Sequence, residues 1–269
     1  MNAREISRRQ AVDELVDSVA QREFRDAHGD PQFAPVAIVA AAYHERENIG
    51  RVVEALPAEL CGEPVSFLVV VDGEEDGTAE IVRTSGHYAV IAPVNRGQGA
   101  ALRLGYRVAV EHGARYLVTA DADGQTDPAD LAVVLRPVLD DEADLVTGSR
   151  RLGRTESADI VRNFGIVVFS TVISALTGTK VTDVANPIRA MRADLPGRLT
   201  LAEPQYQSSE LLIGAVMGGA RYAERPVTML ARASGHSKKG GNLVYGYRFG
   251  RVVLRTWWRE RRARRRLRG

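Results

Sequence analysis

Five residues, Asp121-Ala122-Asp123-Gly124-Gln125, hold two carboxylates and a carboxamide within one short turn. Like charges kept this close repel, and a divalent cation taking hard oxygen ligands relieves the repulsion most simply. Asp-rich turns also have a plainer use. An aspartate at a helix start accepts bonds from unpaired N–H groups, and Asp121 and Asp127 could both serve that way. The flanking sequence says where the acids stand. Tyr116-Leu117-Val118-Thr119-Ala120 is short, apolar and β-favouring, and Pro128 opens a helical pattern over residues 129–139. Asp121 thus falls at the end of a parallel strand, the edge at which open α/β sheets bind ligands.

Two other stretches could meet a ligand. Asn95-Arg96-Gly97-Gln98-Gly99 puts an arginine and a glycine-rich turn at a helix start, where N–H groups and the helix dipole favour an anion, although the glycines suit close packing equally. Tyr43 and Glu45, just after an apolar run, offer a flat face and a hydrogen-bond acceptor, which is what a nucleobase and ribose need. Glu47 is better explained as complementing a helix dipole.

These groups need a scaffold that brings them to one edge, and the chain alternates strand-like and helix-like patterns as a parallel sheet with crossover helices requires. Strands are expected at residues 36–41, 65–71, 88–92, 116–121 and 145–147, with helices at 49–56, 79–84, 100–111 and 129–139. Beyond residue 150 the pattern loosens to helices at 160–176 and 209–217, a strand near 220–225 and a mobile polar loop at 232–242. The 269 residues, 45% of them hydrophobic, suffice for one large α/β core. We expect an N-terminal helical extension (1–30), a catalytic domain (31–242) and a basic C-terminal helix (243–269).

Charge is unevenly placed. Residues 248–268 carry ten arginines and one glutamate, a balance of +9, which leaves the rest of a chain of net charge +2 at −7. Phe249, Val253 and Trp257 share one helical face of this tail, and Arg251, Arg255, Arg259, Arg262 and Arg266 another. Such a helix suits a membrane headgroup layer; the alternative is a helix docked on the body with a solvated arginine face. The acidic body and the lack of a recognition motif argue against nucleic acid. The most apolar stretch, 164–176, falls short of the roughly 20 residues that span a bilayer. A single cysteine, Cys61, excludes an intrachain disulfide and fits a reducing compartment. No zinc-like histidine spacing occurs, and no Gly-x-Ser-x-Gly elbow of a serine hydrolase.

Taken in order, the motifs resemble family 2 glycosyltransferases of the GT-A fold, and Asp121 to Gln125 is most similar to the polyprenyl-phosphate mannose and glucose synthase branch. Residues 42–49 resemble the family's Pro-x-Tyr-Asn-Glu segment, with alanine for the proline and His44 for asparagine. Asp72 is what remains of a tandem Asp pair and inherits its base-contacting role, whereas Asp76 reads as a turn residue. Asn95 to Gly99 resembles the Asn-x-Gly-x-Gly segment, Gly148-Ser149-Arg150 a Gly-Ser-Arg whose arginine helps hold acceptor phosphate, and Asp183 to Met191 an Asp-x-x-x-Gly-x-Arg-Ala-Met with Pro187 for glycine. Arg232 to Lys238 is similar to an Arg-x-x-Gly-x-Ser-Lys loop that closes on a diphosphate.

The resemblance implies an inverting, metal-dependent glycosyltransferase using a nucleoside diphosphate sugar, UDP- or GDP-linked. Asp123 and Gln125 would ligate Mg²⁺ or Mn²⁺, with Asp121 beside them on ribose or a metal water. Tyr43, Glu45, Asp72, Arg96, Gly97, Asp121, Arg232, Ser237 and Lys238 would bind the donor. For the acceptor two readings stand. A polyprenyl phosphate needs arginines such as Arg150; a soluble hydroxyl, on a secondary-metabolite sugar or nucleoside, needs a carboxylate to take its proton, and Asp183 and Glu210 are available. A nucleotide-sugar-binding or membrane-adaptor protein without turnover is the rival from another class. The expected setting is the cytoplasm, at or near the inner face of the membrane, with self-association allowed for.

Overall fold

The structure, a computed structural model, describes residues 3–73, 76–155, 160–230 and 242–268. After helix α1 (Ala3–His28) come β1 (Val36–Ala42), α2 (Arg46–Ala55), the two-residue β2 (Glu59–Leu60), β3 (Glu63–Asp72), α3 (Thr78–Thr84), β4 (Tyr88–Ala92), α4 (Gln98–Glu111), β5 (Tyr116–Asp121), α5 (Pro128–Leu139) and β6 (Leu145–Thr155). The second half adds α6 (Ile160–Thr177), β7 (Arg189–Arg192), a 3₁₀ turn (Pro196–Arg198), α7 (Gln207–Gly218), β8 (Tyr222–Met229) and α8 (Asn242–Arg268).

The sheet runs β4-β3-β1-β5-β7-β6-β8, with β2 paired antiparallel to the start of β3. Strands β1, β3, β4, β5, β6 and β8 point one way, and β7 lies antiparallel between β5 and β6. Six carboxyl ends therefore share one edge. Helices cover both faces, which is why the central strands read as unbroken apolar runs. Val36, Ile38 and Ala40 of β1 point into the core under α2, α3 and α5, while Ala37 and Val39 point into the core under α1, α4 and α7.

Two features depart from the expected pattern. Strand β7 was not anticipated, because Arg189-Ala190-Met191-Arg192 is short and half charged. Strand β6 also runs on past 147 to Thr155 and bulges: Ser149 pairs with Pro226 and Arg154 with Thr228, so residues 150–153 are thrown out of register and Arg151, Leu152 and Arg154 are exposed.

Helix α8 packs one of its sides on the body. Phe249, Val252 and Val253 are buried, Phe249 meets Phe169 at 4.6 Å between ring centroids, and the Trp257 indole N–H donates to the Leu176 carbonyl at 2.8 Å. At the other end of the chain, Phe24 of α1 packs among Phe33, Tyr88 and His112.

Candidate active site

Strand β5 delivers Asp121 to the carboxyl edge in register with Ala41 of β1. The turn beyond it is built for its glycine: Gly124 has φ 76°, and the Gln125 N–H donates to Asp123 Oδ1 at 3.1 Å. Asp123 is buried. The turn is pinned to the end of β8, because Gln125 Nε2 donates to the Leu230 carbonyl at 3.1 Å and the Leu230 N–H donates back to the Gln125 carbonyl at 3.0 Å. With Nε2 engaged there, Oε1 is the Gln125 atom that could meet a cation. Of the two acids offered as helix caps, Asp127 takes that part, accepting from the Ala129 N–H at 3.0 Å. Asp121 instead accepts from Gln98 Nε2 at 3.4 Å.

Two carboxylates and an amide oxygen suit Mg²⁺ or Mn²⁺ by donor chemistry. No group of three or more His, Cys, Asp or Glu side chains able to hold a metal occurs among the described residues. The set is thus too small for a closed cage and fits a cation shared with a phosphate-bearing ligand, the usual situation for Mg²⁺.

Tyr43, 39% exposed, follows the end of β1, edge-on to His44. Glu45 caps α2 through its backbone carbonyl, and its carboxylate accepts from Asn48 Nδ2 at 2.8 Å. Asp76 has the turn role expected of it, accepting from the Thr78 N–H and hydroxyl and from the Arg46 N–H.

Three expected donor contacts are occupied otherwise. Asp72 is buried and clamps the neighbouring turn, its carboxylate accepting from the N–H groups of Arg96 (3.0 Å) and Gly97 (2.6 Å). Burial pushes its carboxyl above the ordinary value, against the pull of those bonds. A base would have to share oxygens already engaged. The Arg96 guanidinium turns away from the strand ends to α1, pairing with Asp17 at 2.6 Å and Asp13 at 3.3 Å. Gly97, at φ 98°, makes room for protein: a Cβ there would lie 2.7 Å from the Pro204 carbonyl oxygen. The Gly99 N–H donates to that same oxygen at 2.7 Å. The glycine-rich turn is therefore a seat for the 203–207 segment, because its N–H groups face protein acceptors.

The three groups nominated for the acceptor side are also engaged. Arg150 and Asp183 form a buried ion pair. Glu210, fully buried on α7, accepts from the Ala202 and Glu203 N–H groups and pairs with Arg259 of α8 at 2.9 Å. Asp183 and Glu210 thus hold the framework, and neither points an unengaged oxygen at an incoming hydroxyl. Arg232, Ser237 and Lys238 lie outside the described residues.

Sequence reasoning missed Glu224, Asn186 and the depth of Arg189. Glu224 of β8 accepts from the Thr182 and Asp183 N–H groups and orients the Asp183 turn. Arg189 is buried between β5 and β6 and donates to the Asn186 carbonyl at 2.8 Å. Burial pulls its guanidinium below the ordinary value, offset by the charges of Asp121 and Asp183 among others. An arginine opening a strand of an otherwise apolar sheet was the available signal.

A mostly parallel sheet between helix layers, with an acidic turn at its carboxyl edge, is the architecture of GT-A glycosyltransferases. Residues 37–196 match glycosyl transferase family 2, and the chain belongs to that family and is a glycosyltransferase. It is 28% identical to the dolichyl-phosphate hexose transferase of Haloferax volcanii, over 85% of this chain and 96% of the relative. It is 29% identical to the undecaprenyl-phosphate mannosyltransferase of Micrococcus luteus, over 78% and 89%. The fold is similar to glucosyl-3-phosphoglycerate synthase from Mycobacterium tuberculosis in complex with Mn²⁺, UDP-glucose and phosphoglyceric acid, with a TM-score of 0.65 and 20% identity over 87% of this chain and 82% of that one.

Proposed function

We propose that the enzyme transfers a sugar, with inversion, from a nucleoside diphosphate sugar to a polyprenyl phosphate. The observation that carries the acceptor choice is the engagement of Asp183 and Glu210, the two carboxylates offered as bases. A hydroxyl acceptor requires its proton to be taken; a phosphate oxygen is already ionised near neutral pH and requires only cations to hold it. The names of the relatives in Haloferax volcanii and Micrococcus luteus point the same way.

In this reading the donor lies along the carboxyl edge, its nucleobase beside Tyr43 and its diphosphate over the acidic turn. Asp123, Gln125 and Asp121 would hold Mg²⁺ or Mn²⁺, which supplies positive charge to the departing nucleotide. An acceptor phosphate oxygen forms the new bond to the anomeric carbon as the bond to the donor's diphosphate breaks on the opposite face, and no proton changes hands. With the Arg150 guanidinium bound to Asp183, the exposed Arg151 of the β6 bulge and Arg154 just beyond it are the cations that meet the acceptor phosphate.

Incubation with UDP- and GDP-sugars and Mn²⁺, against a short-chain polyprenyl phosphate and a panel of free sugars, tests the proposal. Transfer to the lipid phosphate is expected. Robust transfer to a sugar with no response to the lipid overturns it.

A further inference from the structure

Helices α6 and α8 leave large apolar side chains in solvent. Phe164 is 69% exposed, and Val168 and Val172 follow it at four-residue spacing along α6; Tyr247, Leu254 and Trp258, at spacings of seven and four, line one side of α8. Each stripe lies opposite its helix's buried side, which is Ile166, Ser170 and Ile173 on α6 and Phe249, Val252, Val253 and Thr256 on α8. The helices run in the same direction, since Phe249 meets Phe169 and, further along both, Trp257 bonds to Leu176. Two parallel neighbours with buried sides on one body expose their other sides the same way. The stripes therefore form one surface.

Its charge selects the partner. Arg251, Arg261, Arg262 and Arg265 fall on the same side of α8 as the apolar stripe, with Arg262 stacked over Trp258 at 4.7 Å. Helix α6 has no acidic residue, and the one acid of α8, Glu260, is bound to Arg259. A second copy would bring the same arginines against these. A layer that is apolar within and anionic at its surface satisfies both features. The surface also starts at the sheet edge that carries the site, since α6 begins just beyond the carboxyl end of β6.

We propose that the outward sides of α6 and α8 together form a surface that lies in the headgroup layer of an anionic phospholipid membrane, with the site alongside it. No helix among the described residues is long and apolar enough to cross a membrane. The surface would bind any anionic bilayer, so the inference extends past the acceptor reading and does not depend on it.

Co-sedimentation of the full chain with phosphatidylcholine vesicles, with and without phosphatidylglycerol, and lacking polyprenyl phosphate, is the test. Phe164→Glu/Leu254→Glu/Trp258→Glu alters exposed positions only. It should keep the thermal melt and Mn²⁺-dependent donor binding while partitioning falls by about tenfold or more. Arg251→Ala/Arg262→Ala/Arg265→Ala should lose roughly fivefold per arginine, on anionic vesicles at low salt only. Equal partitioning of the wild type and the apolar triple variant would overturn the proposal. So would a wild type that ignores vesicles and self-associates in sedimentation velocity, since a second copy would then cover the surface.

Discussion

The Arg150 guanidinium grips Asp183 in a two-pronged pair, Nε to Oδ2 at 2.6 Å and Nη2 to Oδ1 at 2.7 Å, and the Arg150 N–H adds a third bond at 3.0 Å. Both side chains are buried. The pair ties β6, where it begins to bulge, to the turn that precedes β7. An isolated buried charge is costly, so each partner is held by need of the other.

Arg150→Ala and Asp183→Asn should therefore each lower unfolding stability, by about 3–5 kcal/mol for loss of one partner of a buried pair. Arg150→Lys should not restore it, because an ammonium cannot reproduce the planar fork. Urea denaturation of the three variants checks this. Lost activity with an unchanged midpoint would instead return Arg150 to the acceptor.

Asp123→Ala should abolish Mn²⁺-dependent binding of a nucleoside diphosphate sugar while leaving the melt close to wild type, because its carboxylate belongs to the turn beyond the end of β5, where it accepts from the Gln125 N–H. Calorimetric titration with and without chelator reads both. Normal transfer in chelated buffer would remove the metal from the account.

Arg96→Ala should destabilise the docking of α1 and leave donor affinity near wild type, since its guanidinium faces Asp13 and Asp17. Limited proteolysis within residues 3–28, read beside donor titration, separates the two effects. A donor affinity lost without new cleavage would restore Arg96 to the nucleotide.

The first half of the fold is legible because its strands are buried on both faces and its helices are punctuated by Gly, Pro and Asp. The end of β5 falls at Asp121 as the apolar run says. Strand β7 was hidden, since four residues with arginines at both ends have no strand periodicity of their own and are fixed by neighbours distant in sequence, at Thr119 and Thr147. The site divides likewise. Residue types place Asp123 and Gln125 on the turn after β5, where the structure has them, but whether a charge is presented or consumed depends on partners the local sequence does not name: Asp17 for Arg96, Asp183 for Arg150, Arg259 for Glu210.

Away from the site, Arg221 bonds to Asp144 and Asp141 and ties the starts of β6 and β8. Its hydrogen bonds bring the Asp144 carboxyl down to about 2 from an ordinary 3.8. A carboxyl depressed in the folded state contributes stability in full above its unfolded value and loses it as pH falls through the folded one. The stability gap between wild type and Arg221→Ala should accordingly be widest above 3.8 and close towards about 2. Denaturation midpoints across that interval report it; a gap constant with pH would mean Arg221 acts through packing alone.

The acceptor can be decided by comparing cations with carboxylates. If a lipid phosphate is used, Arg151→Ala/Arg154→Ala should raise the acceptor KM while sparing donor hydrolysis, because both side chains are exposed towards the end of β6 and removing them leaves no buried charge. Glu210→Gln should then change stability, through Arg259 and the 202–203 turn, without altering the pH profile of kcat. If a hydroxyl is used, loss of the base should remove the ~10²- to 10⁴-fold typical of general-base catalysis and flatten the acidic limb of that profile. Stability and rate would then separate. Glu210→Gln measured at a temperature where it stays folded distinguishes the cases, and a flattened acidic limb there would make the carboxylate a base despite its bond to Arg259.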